Sequence, residues 1–213
     1  MWRLAVRLLV VAVATGVPPA SLFGQEKYST KPIECFEVEQ GKSAKKITDV
    51  LSTTESHLWA YGTLELQRDA LDDLAKSCTA RFSLFVSEDG KKYRLVKTYS
   101  EKTEFIVGVQ LVGFSDNRSK LAADFWWAAG DHTGHRAVVY ELGSKQIFFR
   151  ELGIQIIRQL PSCDYSQVFV GVTNSGEAIF HVPKSAYVDE GCPDQGHWLL
   201  DLRTGKVRRR QPK

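Results

Sequence analysis

The chain has 213 residues, 43% apolar and 25% charged, with 28 lysines and arginines against 25 acids. A chain of this length buries one good core, so a single domain is the default. The near balance of charge gives no support to a general nucleic-acid or membrane-surface role.

In chain order, the first feature is an export signal. Arg3 and Arg7 give a short positive region, Leu8 to Val17 an uncharged apolar stretch, and Pro18 to Gly24 small and turn-forming residues. This is the pattern of a secretory signal peptide, and the apolar stretch is short of the roughly 20 residues a membrane span needs. Cleavage is expected near Gly24, with Ala20 as the rival position; the alternative is an uncleaved anchor. Removing residues 1–24 takes two arginines and no acid, leaving 26 basic and 25 acidic side chains. Residues 25–213 are then expected as one exported domain, periplasmic or secreted, with no later segment able to span a membrane.

The mature part reads as three copies of one strand pattern. The first copy has Val50-Leu51, a polar turn over Ser52 to Ser56, then Leu58 to Tyr61. Its second hairpin runs from Ser83–Val86 through Ser87-Glu88-Asp89-Gly90 into Tyr93–Val96. The second copy has Val109 to Phe114, the turn Ser115 to Ser119 and Leu121 to Phe125, then Ala137–Tyr140, Leu142 to Lys145 and Ile147–Phe149. The third has Val168 to Val172, Thr173 to Gly176 and Ala178 to Val182, then Trp198–Leu202, Arg203 to Lys206 and Val207. Hydroxyl, carboxamide and Gly residues between short apolar runs are hairpin turn chemistry. The copies lie about 60 residues apart, and four antiparallel strands per copy is the make-up of a propeller blade.

The Ser115–Ala122 segment (SDNRSKLA) and the Leu200–Lys206 segment (LDLRTGK) carry a resemblance to TolB-like and WD-type β-propeller repeats. It covers roughly residues 46–208. The resemblance implies an all-β fold of antiparallel four-stranded, blade-like repeats. Three copies are fewer than the 4 to 8 blades of a closed propeller, so the expected outcomes are a partial propeller, an open stack of sheets, or half a ring completed by a second subunit as a homodimer. Between hairpins each copy is expected to carry a polar insert. In the first, Leu64 to Ala75 has apolar residues at helical spacing, which predicts a loop with a short helix.

Four cysteines, all in the mature part, fit two disulfides in an exported protein, and none of their spacings is metal-like. Cys35 and Cys163 lie upstream of a copy, while Cys78 and Cys192 lie at the end of an insert. Equivalent positions in equivalent units predict the pairs Cys35–Cys78 and Cys163–Cys192.

Candidate chemistry is sparse. Asp131-His132-Thr133-Gly134-His135 reads as a polar insert whose His132 and His135 can converge on a metal, joined by His181, His197 or Asp194, although solvated loop histidines are the plainer reading. Trp126 and Trp127 are adjacent on a strand, so their rings point to opposite faces; the plainer reading buries both between packed sheets, and the alternative leaves one to stack on a sugar or peptide. There is no Gly-x-Ser-x-Gly elbow and no phosphate-binding loop, and Asp72-Asp73 and Asp189-Glu190 read as solvated acids. Asn117-Arg118-Ser119 is a glycosylation sequon, relevant only in a eukaryotic host. The basic tail, Lys206, Arg208, Arg209, Arg210 and Lys213, reads as a solvated last strand and end. The expectation is a non-enzymatic binding module for a protein, peptide or glycan, with no cofactor, no metal and no catalytic residue assigned. The alternative is a secreted hydrolase or lyase, metal-assisted through His132 and His135.

Overall fold

The computed structural model describes residues 32–53, 57–68, 77–129, 132–152, 168–182 and 194–211. Their strands form three antiparallel sheets, one per expected copy. The first contains β1 (Ser43–Ile47), β2 (Leu51–Thr53), β3 (Leu58–Arg68), β4 (Cys78–Ser87) and β5 (Arg94–Thr103). Both β1 and β2 pair with β3, opposite Thr63–Gln67 and Leu58–Ala60 respectively, so they share one edge end to end. The middle sheet is a meander of β6 (Ile106–Phe114), β7 (Lys120–Ala129), β8 (His132–Glu141) and β9 (Ile147–Glu151). The third repeats it with β10 (Val168–Val172), β11 (Ala178–Val182), β12 (Gly196–Leu200) and β13 (Val207–Arg209). The blade-like, all-β repeat expected from the sequence is therefore present, and no closed ring forms among the described residues.

The second and third units match down to their irregularities. A bulge falls between Leu111 and Gly113 in β6 and between Phe169 and Gly171 in β10, 58 positions on. Two residues later the turns close alike: the Arg118 amide donates to the Ser115 carbonyl at 2.8 Å, and the Gly176 amide to the Thr173 carbonyl at 3.0 Å. Arg118 and Gly176 both take a positive φ, 57° and 94°.

Alternation within the strands explains the packing. Leu121, Ala123, Phe125, Val138 and Tyr140 of the middle sheet join one core cluster with Leu64, Phe82, Leu84 and Val86 of the first. Ala122, Ala137 and Val139, on the other face, join a second cluster with Phe169, Phe180 and Leu200 of the third. A sheet buried on both faces needs near-continuous apolar strands, which is why β7 and β8 lack the simple apolar–polar alternation of a half-wet sheet. Phe82 and Phe125 stack across the first interface, centroids 5.2 Å apart. Burying a side chain of this size contributes roughly 1.5–3 kcal/mol.

The N-terminal segment ties the first two sheets together. Ile33 forms an antiparallel bridge with Val107, exchanging hydrogen bonds of 3.0 and 3.1 Å with the outer edge of β6. Two residues on, a 3-10 turn, Cys35–Glu37, buries Cys35. Cys35 is disulfide-bonded to Cys78 at the start of β4, with Cα atoms 5.6 Å apart. The partner pair expected between Cys163 and Cys192 lies outside the described residues.

Two expectations are corrected. Leu64–Arg68 is not helical but completes β3, because Leu64 and Leu66 alternate into the core and pair with Phe82 and Ala80 of β4; the rest of the expected helix, residues 69–75, lies outside the described residues. The expected polar insert of the second copy is absent at 132–135. His132 to His135 belong to β8, in register with Ala129 to Trp126 of β7. The hairpin extends this far because the two tryptophans continue the apolar strand.

Candidate functional site

Of the four residues singled out in the sequence, the strand register brings Trp126 and His135 together as direct cross-strand neighbours. Trp127 is turned to the other face, as adjacent strand residues must be. His132 opens β8 opposite Ala129. The two indoles are half-buried, and each lies over a glycine on a neighbouring strand. A Cβ on Gly108 would run into the Trp126 ring, and one on Gly134 into Trp127. Trp127 also stacks on Phe105 with centroids 4.9 Å apart and packs against the first core cluster. Its surroundings are those of a structural residue.

His135 belongs to a buried polar network. Its Nδ1 lies 2.7 Å from Oδ2 of Asp124, a residue with no solvent exposure. Gln110 Nε2 donates to the same oxygen at 3.0 Å, and the Arg136 amide donates to Oδ1 at 3.3 Å. Burial opposes a charge on His135, but the Asp124 charge and hydrogen bond outweigh it, so the imidazole pKa is raised. An Asp holding Nδ1–H fixes the tautomer and is the orienting half of an acid–base dyad. The contacts that Asp124 makes among the described residues are amides and the imidazole, with no hydroxyl or thiol. The network thus satisfies a buried carboxylate inside the sheet.

On the other face of β8, Arg136 ion-pairs with Glu101 of β5 and lies over the Tyr99 ring, 5.2 Å from its centroid. The Tyr99 hydroxyl donates to Glu101 at 3.1 Å. Burial raises the Glu101 pKa, with Arg136 and Tyr99 pulling against it. This cluster joins the rims of the first and middle sheets.

The sequence reading missed the apolar surface of the first sheet. Leu58, Ala60, Leu64 and Leu66 face the core, so Trp59 and Tyr61 point away from it. Tyr61 stacks on Phe85 of β4 at 4.9 Å and meets Tyr93 edge-on, also at 4.9 Å. Trp59 rests against Gly90, whose positive φ of 70° turns the next hairpin beneath it. Ile47 and Leu95 are 60% and 53% exposed; their partners Thr63 and Phe85 lie on the same side. The signal was present in the sequence: an apolar run with aromatics at both 59 and 61 has more apolar positions than one core face can use.

Family models, curated proteins and solved structures offer no match to this chain.

The third sheet brings together two more histidines. His181 of β11 and His197 of β12 are direct cross-strand partners with ring centroids 4.7 Å apart. Burial, then the neighbouring His197, holds the His181 pKa below the usual imidazole value. Neither belongs to the His135 network. Among the described residues no group of three His, Cys, Asp or Glu side chains is placed to hold a metal.

Proposed function

We propose that this chain is an exported, divergent member of the propeller-repeat class that binds a protein, peptide or glycan and carries out no reaction on it. The observation that carries the reading is the outward face of the first sheet, where Trp59, Tyr61, Phe85 and Tyr93 form an aromatic surface flanked by exposed Ile47 and Leu95. Amphipathic rings supply large contact area at low entropic cost and stack on sugar or peptide faces. Exposed apolar patches of this kind mark interaction sites. The Cys35–Cys78 disulfide supports an oxidising compartment, periplasmic or extracellular. The hydrolase alternative draws less support, because His135 is buried within the middle sheet, where its imidazole serves to pair the fully buried Asp124.

The test is retention of the mature protein on immobilised glycans and peptides, set beside a Trp59→Ala, Tyr61→Ala double variant. These rings lie outside both core clusters, so the double variant keeps its fold. A loss of retention of tenfold or more with an unchanged melting temperature is the expected result. Equal retention by both proteins, or turnover of any ligand by the wild type, would overturn the reading. Sizing of the two proteins separates a further outcome: a wild-type dimer converted to monomer by the substitutions would make a second copy of this chain the partner.

A further inference from the structure

We infer that His181 and His197 form a surface site for a borderline divalent cation, of the class of Cu2+, Ni2+ or Zn2+. The site lies on the third sheet, away from the aromatic face, and does not depend on the binding role proposed above. Three observations carry it. The residues are directly opposed on adjacent antiparallel strands, so the backbone holds both rings over the same spot. His197 is exposed and His181 half-buried, so solvent reaches the pair. Among the described residues, Nδ1 of His181 is buried without a hydrogen-bond partner, and a buried nitrogen left unpaired is costly.

The distances fit chelation. An imidazole nitrogen binds such an ion at about 2.0–2.1 Å, which puts the ring centroid about 3.2 Å from the metal. With the centroids 4.7 Å apart, the two rings subtend about 95° at a shared ion, near the cis angle of tetragonal coordination. The general affinity order of divalent ions at nitrogen sites places Cu2+ above Ni2+ and Zn2+. Among the described residues no third His, Cys, Asp or Glu side chain joins the pair, and Val168 stands opposite His181 on β10. Two imidazoles with water in the remaining positions make an open, exchangeable site, so micromolar affinity is expected.

The test is calorimetric titration of the mature protein with Cu2+, with Zn2+ as a second probe. One equivalent of Cu2+ should bind, more tightly than Zn2+, and saturating Cu2+ should raise the melting temperature. His181→Gln and His197→Gln should each weaken Cu2+ binding at least tenfold, while His57→Gln, on an exposed turn, leaves it unchanged. His197 is exposed, so His197→Gln keeps the fold and suffices even if His181→Gln does not. Wild-type affinity retained by His197→Gln, or no stoichiometric Cu2+ binding by the wild type, would overturn the assignment.

Discussion

At the scale of single residues, His135 shows how a polar group is kept inside a sheet buried on both faces. Asp124 has no solvent exposure, and an unpaired carboxylate there would cost several kcal/mol. Three donors remove most of that cost: Gln110, the Arg136 amide and the imidazole. Removing the imidazole should therefore destabilise the protein by about 3 kcal/mol, near the lower end for breaking a buried pair. The pH dependence has a definite sign. The folded pKa of His135 is raised by Asp124 against the opposing effects of burial and the Arg136 charge. The contribution is fully present below the unfolded value of about 6.5 and is lost as pH rises through the raised folded value. Chemical denaturation of the wild type and His135→Gln from pH 5 to 9 should give a stability gap that is widest at the acid end and narrows upward. A gap that is constant or grows with pH would show that His135 is not held as the cation.

At the scale of elements, the turns of the second and third units close in the same way, because backbone geometry tolerates few solutions there. Arg118 and Gly176 occupy the same left-handed position, as do Lys145 and Gly205, with φ of 57° and 77°. Glycine takes that conformation freely, whereas other L-residues are disfavoured by about 1–2 kcal/mol. Gly176→Ala should thus lower stability by about 1–2 kcal/mol, while Arg118→Gly should be neutral or mildly stabilising. Midpoints of urea unfolding compare the two, and no loss for Gly176→Ala would argue against the equivalence of the turns. Turn residues between apolar runs are also why three meanders were legible in the sequence. The end of β3 was harder to see: Leu64, Leu66 and the polar residues between them fit a helical face as well as a strand, and only pairing with β4 decides. The extension of β7 and β8 was hidden for a related reason. His132, Thr133, Gly134 and His135 have loop composition, yet Gly134 is the residue that makes room for Trp127. Sites assembled across strands were the least legible, since Asp124 and His135, or His181 and His197, meet through register and not through a motif.

At the scale of the whole molecule, three sheets packed face to face leave two end faces and several edges, and exposed edges invite association. The middle sheet is protected by its neighbours, and the edge of β6 is partly capped where Ile33 bridges Val107. That short segment buries Ile33, Cys35 and Val38 in the first core cluster, and the bond from Cys35 to Cys78, 43 positions away, fixes it there. Closing a loop of that length removes denatured-state entropy equivalent to about 4 kcal/mol at 25 °C. For a domain of this size, each kcal/mol moves the melting temperature by about 2–4 °C, so the double variant Cys35→Ser, Cys78→Ser should melt about 8–16 °C lower. The loss should also be local before it is global. With the disulfide gone, the Val107 amide that donates to the Ile33 carbonyl should exchange its hydrogen early, while the Gln110 amide, which by the alternation of an antiparallel ladder faces β7 opposite Asp124, keeps the protection of the sheet. Hydrogen exchange read at these two amides separates a staple that holds the edge of β6 from one that only restricts the unfolded chain. In the first case protection at Val107 falls ahead of unfolding, and in the second both amides change together by the same global amount.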